Sequence, residues 1–567
     1  MRENRVAKAA GTPWWMCAAG IAAAVYLGFQ VYAPSLHGPF VFDDRDQPYC
    51  LPGFSNLIWP WIGGGRPLLM FSYWLNRQMG NDPFGFHVVN VILHILNSLL
   101  VFLIVRKLLQ RSDSQNRSSD LLGACAAAVF LLHPVQTESV AYIAGRSECL
   151  SVLFFLAAFA VFLYRRPAGA SWAAAIAILI LFAAAVASKE HTLALPAVFL
   201  LTDYYWNPGF FLAGIRRNWR IYLALALAGA CGAVIVARVL ARARSAGFGI
   251  QAFTWYQYFF TECRAFFVYL RLFLFPSGQN ADWDFPASRN ILDHGAIVAL
   301  LAIVLLTGAA IYFRRRYSLA SYGFLIYLLL MAPTSSFLPI QDPLAERRLY
   351  LPMIGLLMVA AAAVRGLRAS PFKLAVVSGG IALVLATLTY RRNQLWANDI
   401  ALWEDTVRKS PGKPRAHFQL AFAYYADGRC QEAVAQYAEM ARLQKPDPHV
   451  LVDWGLACEC AGDPEQAVAK LREAAALQPT AHVYSQIGLV YARQARWPEA
   501  LEALAQGEKL DSTYAMIYCY RGGIRAATGN FAEAVTDYQH ALALDPGNQT
   551  AQQGLAYAQR QSMPPRH

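Results

Sequence analysis

Long apolar segments follow one another with few breaks from the N-terminus to about residue 390, and polar residues then recur at helical spacing to the C-terminus. A membrane-spanning helix needs about 20 mostly apolar residues, and fewer when its ends reach the interface. The segments that approach or meet this length are eleven in number: residues 12–34, 86–105, 121–137, 148–164, 171–188, 191–206, 219–238, 293–313, 318–333, 348–364 and 373–390. The pattern therefore predicts an all-α protein with a polytopic membrane helix bundle in residues 1–390.

One further apolar segment, residues 255–276, is expected not to cross the membrane. It contains Glu262, Arg264 and Arg271, which favour a re-entrant or surface-lying helix. The basic N-terminus predicts an uncleaved first span that starts in the cytoplasm. Eleven crossings then leave basic loops such as residues 314–316 in the cytoplasm and put the C-terminal part outside.

The C-terminal part of the chain repeats itself. The same alanine recurs at intervals of 34, 33 and 34 residues, as Ala433, Ala467, Ala500 and Ala534. This is the tetratricopeptide pattern, in which stacked helix pairs leave a groove suited to an extended peptide or a partner protein. We predict a repeat domain at residues 413–567, with four repeats and a closing helix at 551–561, joined to the bundle by a connecting helix or linker at 391–412.

The composition fits a membrane protein and argues against other classes. The chain is 57% hydrophobic and 15% charged, with a mean hydropathy of +0.32. Its net charge of +13 lies in short clusters and forms no continuous basic face, so we expect no nucleic-acid partner. The ten cysteines include no CxxC pair that would suggest zinc. Cys430 and Cys460 lie at the turns of adjacent repeats, where a disulfide is one possibility and buried thiols are the other.

The predicted topology brings four charged loops to the outer face of the membrane. The first is GPFVFDDRDQP at residues 38–48, with Asp43 and Asp44. The other three carry Glu138, Arg146, Lys189, Glu190, His191, Glu346, Arg347 and Arg348. Adjacent carboxylates in a poorly solvated place have a raised pKa and can serve as a base. The alternative for the two aspartates is a solvated turn between prolines. For Lys189, Glu190 and His191 it is pairing among themselves at a span boundary, and for Glu138 and Arg146 it is a structural ion pair.

A polar stripe runs along the second predicted span. His87, Asn90, His94 and Asn97 are spaced so that they share one helical face. Polar groups in hydrocarbon turn into the bundle or into a wet cavity. Interhelical hydrogen bonding is the preferred interpretation, with His87 and His94 kept as site candidates, and metal binding by these histidines is not expected.

The chain resembles a known family through a series of motifs that occur in the family's order and span nearly the whole sequence. These motifs are FVFDDRD (40–46), RPLLMFSYWLN (66–76), PFGFHVVNVILH (83–94), LHPVQTESVAYIAGR (132–146), SKEHTLALP (188–196), AERRLYLPMIG (345–355) and YRRNQLWANDIALW (390–403), followed by the repeats. The family is that of the transmembrane and tetratricopeptide-repeat O-mannosyltransferases, members of the C-type glycosyltransferase superfamily. The Ala- and Arg-rich composition resembles that of a bacterial member.

The resemblance implies that Asp43 and Asp44 lie at the centre of catalysis, with one of them as the base. It implies inverting transfer of a sugar, a hexose such as mannose, from a polyprenyl-phosphate donor to Ser or Thr of a protein bound by the repeats. It implies no cofactor besides this donor, and it leaves the need for a divalent metal open. The expected location is the inner membrane, with the repeats on the periplasmic or external side.

The donor phosphate requires a cationic partner. Arg347 and Arg348 are the first candidates because a guanidinium fork matches phosphate oxygens, and anchoring at the interface is their alternative role. Arg264 and Arg271 are weaker candidates, since arginines on a surface-lying helix also meet lipid headgroups.

Two other functions remain open at the level of sequence. One is a polymerase or ligase for lipid-linked glycans. The other is a non-catalytic scaffold in which the bundle anchors the repeats. The charged loops favour an enzyme over a scaffold, and the repeats favour a protein acceptor over a glycan.

Overall fold

The computed structural model describes residues 14–51, 53–113, 118–165, 169–207, 209–242 and 253–562, and the basic N-terminal residues lie outside this range. The described residues form helices, and no β-strand occurs among them. They divide into two compact units, residues 1–402 and residues 403–567. The all-α fold predicted from the hydropathy pattern is confirmed.

The first unit is a bundle of apolar helices. Its α-helices are α1 (Trp14–Tyr32), α2 (Trp59–Ile62), α3 (Pro67–Met79), α4 (Pro83–Ser112), α5 (Ser119–Leu132), α6 (Thr137–Ala141), α7 (Arg146–Tyr164), α8 (Trp172–Ser188), α9 (Leu195–Trp206), α10 (Ala213–Arg217), α11 (Trp219–Arg242), α12 (Trp255–Leu274), α13 (Ala296–Tyr312), α14 (Ser318–Met331), α15 (Met353–Gly366) and α16 (Pro371–Trp396). Short 3-10 helices occupy several of the loops, including Phe42–Asp46, Glu190–Ala194 and Glu346–Leu349.

Helix α4 is the centre of this bundle and packs against α5 and α7. It starts where Asp82 accepts a hydrogen bond from the Phe84 amide at 2.8 Å, with Pro83 as its first residue. A proline suits this position because its fixed φ angle is already helical. The amide hydrogen that proline lacks would have no partner within the helix at this position. This start places the N-terminal turns of α4 beneath the loops that carry the candidate site residues.

Five stretches among the described residues are long and apolar enough to cross a membrane: Ala18–His37, Pro83–Ser112, Ile143–Tyr164, Asp293–Tyr312 and Pro371–Trp396. A sixth is the bent pair Ser119–Leu132 and Pro134–Ala141, which turns by 50°. Of the remaining five predicted spans, four fall on helices of 12 to 17 residues and the fifth, 219–238, falls on α11, so helix length does not confirm the count of eleven. Helix α12, expected not to cross, is not among the long apolar helices.

The second unit contains the repeats. Helix α17 (Asp399–Lys409) leads into it, and the paired helices are α18 (Pro414–Ala426), α19 (Cys430–Leu443), α20 (Pro448–Cys460), α21 (Pro464–Leu477), α22 (Ala481–Arg493), α23 (Trp497–Leu510), α24 (Ala515–Ala527) and α25 (Phe531–Leu544), closed by α26 (Gln549–Ser562). The four predicted repeats are therefore present as four helix pairs, and the predicted closing helix is α26.

The turn inside each repeat has the same backbone conformation. Gly428, Gly462 and Gly529 adopt φ angles of +78°, +86° and +82°, and Ala495 takes the equivalent place at +57°. Glycine accepts this left-handed conformation without steric cost, which explains its recurrence at the turn. The third repeat bears the strain of an alanine there.

A disulfide joins the turn of the first repeat to the end of α20. Cys430 and Cys460 are bonded, with their Cα atoms 5.7 Å apart. Cys458, which lies between them in sequence, is a buried free thiol. Of the two possibilities for the cysteine pair, the structure has the bridge.

Candidate active site

The aspartate loop, residues 41–47, turns as a single 3-10 helix, Phe42–Asp46, and separates its two adjacent carboxylates. Asp43 is exposed, and within the part of the chain that the structure describes no side chain pairs with its carboxylate. Asp44 is completely buried. One of the two aspartates thus faces solvent and the other faces the protein.

Three hydrogen bonds hold the Asp44 carboxylate. Its Oδ1 accepts from the Tyr49 hydroxyl at 3.0 Å and from the Ala144 amide at 2.8 Å, and its Oδ2 accepts from the Val41 amide at 3.2 Å. Burial raises the pKa of Asp44 to about 7, because the loss of hydration outweighs these donors, and the neighbouring Asp43 charge adds to the rise. Asp44 ties the loop to distant parts of the chain and titrates near neutral pH.

Tyr142, at the end of α6, supports the exposed aspartate from below. Its hydroxyl accepts a hydrogen bond from the Asp43 amide at 3.1 Å. Its backbone is held in turn by Asn90 of α4, whose amide group donates to the Tyr142 carbonyl at 3.3 Å. The backbone of Asp43 is therefore fixed while its carboxylate stays accessible.

Arg347 and Glu138 form an ion pair next to this loop. The Glu138 side chain is buried, whereas the Arg347 side chain retains 26% of its exposure. Glu138 also accepts a hydrogen bond from the Arg347 amide at 2.9 Å. Arg347 acts electrostatically on Tyr142, so a partly accessible cation lies near the aspartate loop.

A second group of charges joins α3, α7 and the loop after α8. Glu148 of α7 pairs with Lys189, and the His191 Nε2 atom lies 3.5 Å from the same carboxylate. Glu190 instead pairs with Arg66 through two hydrogen bonds of 2.6 and 3.1 Å. The alternative pairing of Lys189, Glu190 and His191 among themselves does not occur, because Lys189 and His191 lie against Glu148 and Glu190 pairs with Arg66.

Sequence reasoning overlooked both of these partners. Glu148 lies in the first turn of an otherwise apolar helix, and a lone carboxylate at such a place was the available signal. Arg66 opens the RPLLMFSYWLN motif and precedes α3. The Arg347 guanidinium acts electrostatically on Glu148 and Lys189 as well, which links this group of charges to the Arg347–Glu138 pair.

The polar stripe of α4 is used for hydrogen bonds between elements. His87 contacts the Gly38 carbonyl at 3.1 Å, and His94 contacts the Tyr350 hydroxyl at 2.8 Å and the Leu131 carbonyl at 3.1 Å. Asn97 donates to the same tyrosine hydroxyl at 3.0 Å. These side chains brace the loops from inside the bundle and do not reach the exposed carboxylate.

Arg146 is fully buried and belongs to the core. Its guanidinium donates to Asn90 at 2.9 Å and to the carbonyls of Ser72 and Phe86 at 3.2 and 2.9 Å. It lies over the Tyr73 ring, with 4.6 Å to the ring centroid. The alternative of a structural ion pair between Arg146 and Glu138 does not occur, because Glu138 pairs with Arg347.

Arg348 points away from Arg347, toward α12. Its guanidinium pairs with the buried Glu262 and donates to the Tyr258 hydroxyl at 3.1 Å and to the Pro343 carbonyl at 2.9 Å. Only 7% of its side chain is exposed. Arg348 therefore fastens its loop to α12.

The remaining candidates stabilise the loop after α12. Arg264 donates to the Pro286 carbonyl at 2.8 Å, and Arg271 donates to the Ser277 carbonyl at 3.1 Å. Glu346 is buried and accepts hydrogen bonds from Gln279 and the Asn280 amide at 3.0 and 2.5 Å. Burial raises the pKa of Glu346 to about 7.

No group of three or more His, Cys, Asp or Glu side chains suited to hold a metal ion occurs among the described residues. The candidate site contains the accessible Asp43 carboxylate, the buried Asp44 carboxylate and the partly accessible Arg347 guanidinium.

Several proteins of known family are similar to this chain. A protein O-mannosyl-transferase of Caenorhabditis elegans is 24% identical over 447 residues, which cover 73% of this chain and 61% of the relative. Protein O-mannosyl-transferase TMTC3 of Mus musculus is 23% identical over 535 residues, 85% of this chain and 57% of the relative. The chain thus spans about three fifths of the length of these relatives.

The repeats are matched separately. A tetratricopeptide-repeat family profile matches residues 515–548. Among solved structures, MamA is 21% identical and covers 26% of this chain and 86% of its own, at a TM-score of 0.24. YrrB, described as a TPR protein with an unusual peptide-binding site, is 19% identical and covers 30% of this chain and 87% of its own, also at 0.24. The chain is thus similar to named protein O-mannosyl-transferases over most of its length, and to tetratricopeptide repeats near its C-terminus.

Proposed function

We propose that the protein is a membrane glycosyltransferase that moves a hexose such as mannose from a polyprenyl-phosphate donor to Ser or Thr of a protein bound by its repeats. The names of the relatives support a glycosyltransferase that acts on proteins. The observation that carries the proposal for this chain is that the accessible Asp43 carboxylate and the partly accessible Arg347 both act electrostatically on Tyr142.

Asp43 is the base in this proposal. The acceptor hydroxyl has to approach the base within hydrogen-bonding distance, about 2.6 to 3.2 Å. Asp44 is excluded from such contact because it is fully buried and its oxygens already accept three hydrogen bonds. Its role is to hold the loop through these hydrogen bonds.

The transfer is a direct displacement with inversion at the anomeric carbon. The acceptor oxygen forms a bond to C1 of the sugar while the bond from C1 to the phosphate oxygen breaks. The hydroxyl proton passes to the Asp43 carboxylate, and the polyprenyl phosphate leaves with the electron pair. Negative charge grows on the departing phosphate in the transition state, which makes a cation at the phosphate valuable.

Arg347 is the phosphate-binding residue in this proposal. It is the arginine of its loop with an accessible part, and it stays close to the aspartate loop through its pair with Glu138. The guanidinium groups of Arg348, Arg264 and Arg271 are engaged by the protein itself. We therefore assign these three arginines to loop stability.

The proposed topology has eleven spans in the inner membrane, with the aspartate loop and the repeats on the periplasmic side. Each of the eleven segments falls on a helix, and the disulfide in the repeats fits an oxidising compartment. An acceptor polypeptide bound by the repeats then lies on the same side of the membrane as Asp43.

The experiment that tests the proposal is transfer by the purified full-length protein in lipid nanodiscs. The protein is mixed with a polyprenyl-phosphate mannose and a Ser/Thr-containing unfolded polypeptide, and the polypeptide is analysed by mass spectrometry. A hexose increment on Ser or Thr supports the proposal. Release of sugar to water or to a lipid-linked glycan, without modified polypeptide, overturns it.

The pH dependence of transfer is expected to report the buried aspartate. The pKa of Asp44 lies at about 7, so the side chain ionises as the pH rises through that value, and the carboxylate then accepts the three hydrogen bonds that hold the loop of Asp43. The kcat of the wild type should therefore increase through about pH 7. The Asp44→Asn variant should have a lower kcat without this inflection, measured as kcat against pH.

The Glu346→Gln variant is the matched control, because burial raises the pKa of Glu346 to about 7 as well. It should retain the inflection. Loss of the inflection in this variant, with the inflection kept in Asp44→Asn, contradicts the assignment.

The disulfide tests the proposed side of the repeats. Cells are treated with a permeant alkylating reagent before lysis, and the protein is mapped without reduction. We expect a linked peptide pair containing Cys430 and Cys460, with Cys458 and Cys519 alkylated after denaturation. A bridge that closes a loop of this length, 30 residues, stabilises the repeats by roughly 2 to 4 kcal/mol. Cys430 and Cys460 trapped as free thiols contradict the proposed topology.

A further inference from the structure

The C-terminal end of helix α16 is packed into the first unit. The sequence pattern predicts a connecting helix or linker at residues 391–412, and we call its first part, residues 391–402, the connecting segment. Asn393 is fully buried and donates to the Val31 carbonyl at 2.8 Å. One turn earlier, Thr389 donates to the Leu132 carbonyl at 2.6 Å. The connecting segment is therefore anchored in the first unit before α17 begins.

Trp396 brings the connecting segment into contact with the aspartate loop. Its ring stacks on Tyr142, with ring centroids 6.0 Å apart and an interplanar angle of 27°. The two rings belong to a small buried cluster together with Val41 and Leu402. Tyr142 is also the residue whose hydroxyl receives the Asp43 amide, so Trp396 supports the proposed base through one intermediate residue.

The backbone of the connecting segment makes a second close contact, at Gly38, which lies three residues before the aspartate loop. A side chain at Gly38 would bring its Cβ within 2.6 Å of the Trp396 carbonyl oxygen. Real Cβ atoms do not come this close to a backbone oxygen, so the contact depends on glycine. The backbone of the connecting segment thus packs against Gly38, just before the aspartate loop.

Asp399 makes a third contact, an ion pair with Arg45. Arg45 lies in the 3-10 helix between Asp44 and Asp46, and the pair is largely shielded, with 26% of the Arg45 side chain and 16% of the Asp399 side chain exposed. A shielded ion pair weakens less with salt than an exposed one and fixes two chain segments relative to each other. Asp399 therefore holds the loop at the residue next to the buried aspartate.

From these contacts we propose that Trp396 and Asp399 are positioning residues, through which the connecting segment sets the orientation of Asp43. The proposal rests on the proposed function in that Asp43 is taken as the base. Neither residue touches the substrate. Trp396 acts through Tyr142 on the Asp43 amide, and Asp399 acts through Arg45 on the short helix that carries both aspartates. The connecting segment is then a part of the active centre.

The test combines a double-mutant cycle with hydrogen exchange in the full-length protein. The variants are Asp399→Asn, Arg45→Gln and the double variant. A base displaced by about 1 Å costs up to roughly 10²-fold in rate, so we expect kcat to fall about 10- to 100-fold in each, with the KM for the donor unchanged. The double variant should be no worse than either single variant, because both changes break the same pair. Asp399→Glu should restore kcat.

Amide exchange of residues 42–46, measured without substrate, reports the position of the loop independently of any activity. Faster exchange is expected in Asp399→Asn. The control is Asp120→Asn, which breaks an ion pair with Arg106 near the opposite end of α4 and should leave loop exchange and kcat unchanged.

The outcomes distinguish failure of the positioning role from failure of Asp43 as the base. Unchanged loop exchange in Asp399→Asn, or losses that multiply in the double variant, overturns the positioning role. Faster loop exchange together with transfer that persists at the wild-type rate supports the structural contact but contradicts Asp43 as the base.

Discussion

The Asp43→Asn variant is expected to lose sugar transfer almost completely while its fold stays intact. Loss of a general base costs roughly 10² to 10⁴ in rate. The Asp43 carboxylate is exposed and has no protein partner to lose among the described residues, so the amide introduces neither a cavity nor an unpaired buried group. The measurement is kcat for transfer to polypeptide in nanodiscs, together with the thermal unfolding midpoint, which should not change.

The control for this variant is Asp46→Asn. Asp46 is exposed on the same 3-10 helix, so the two variants change the local charge equally. Full activity in Asp46→Asn and near-complete loss in Asp43→Asn assign the effect to one carboxylate. Equal, small losses in both variants indicate that the loop contributes only charge, and the assignment of the base fails.

Arg347 is expected to show the second large effect, provided that its structural partner is changed with it. Arg347→Gln alone leaves the Glu138 carboxylate buried without a counter-ion, which costs about 3 to 5 kcal/mol of stability. In the double variant Arg347→Gln and Glu138→Gln the buried charge is removed, and stability should return close to that of the wild type. Transfer should remain about 10²- to 10³-fold lower, as is typical when a donor to developing charge is removed.

The single variant Glu138→Gln separates the two roles further. It keeps the Arg347 guanidinium and should retain most of the transfer activity, measured as kcat/KM for the donor. Recovery of activity together with stability in the double variant would mean that Arg347 serves the fold alone. The donor phosphate would then need another cation, with Lys189 and Arg66 the next to test.

The helices and the repeats could be predicted well from the sequence because both follow from local periodicity. All eleven apolar segments fall on helices, and the regular alanine interval predicts the helix pairs of the repeats. Helix length alone does not give the number of spans, because helices such as α9, with 12 residues, are shorter than a bilayer needs.

The partners of the charged side chains could not be predicted, since pairing is decided between segments far apart in the chain. Lys189 and Glu190 are neighbours in sequence, yet they pair with Glu148 and Arg66, respectively. Asp43 and Asp44 likewise share one motif, and only the fold around them exposes the first and buries the second. Local spacing records which residue types are present, whereas tertiary packing decides which of them meet.

The most direct measurement of the central claim is mass spectrometry of the periplasmic and external proteome in three strains. These are the wild type, a deletion of the gene, and the deletion complemented with the Asp43→Asn variant at equal protein level. We predict hexose increments on Ser or Thr of specific proteins in the wild type that are absent from both of the other strains. The same modified peptides in the deletion strain, or in the strain that carries Asp43→Asn, would contradict a protein O-glycosyltransferase that uses Asp43 as its base.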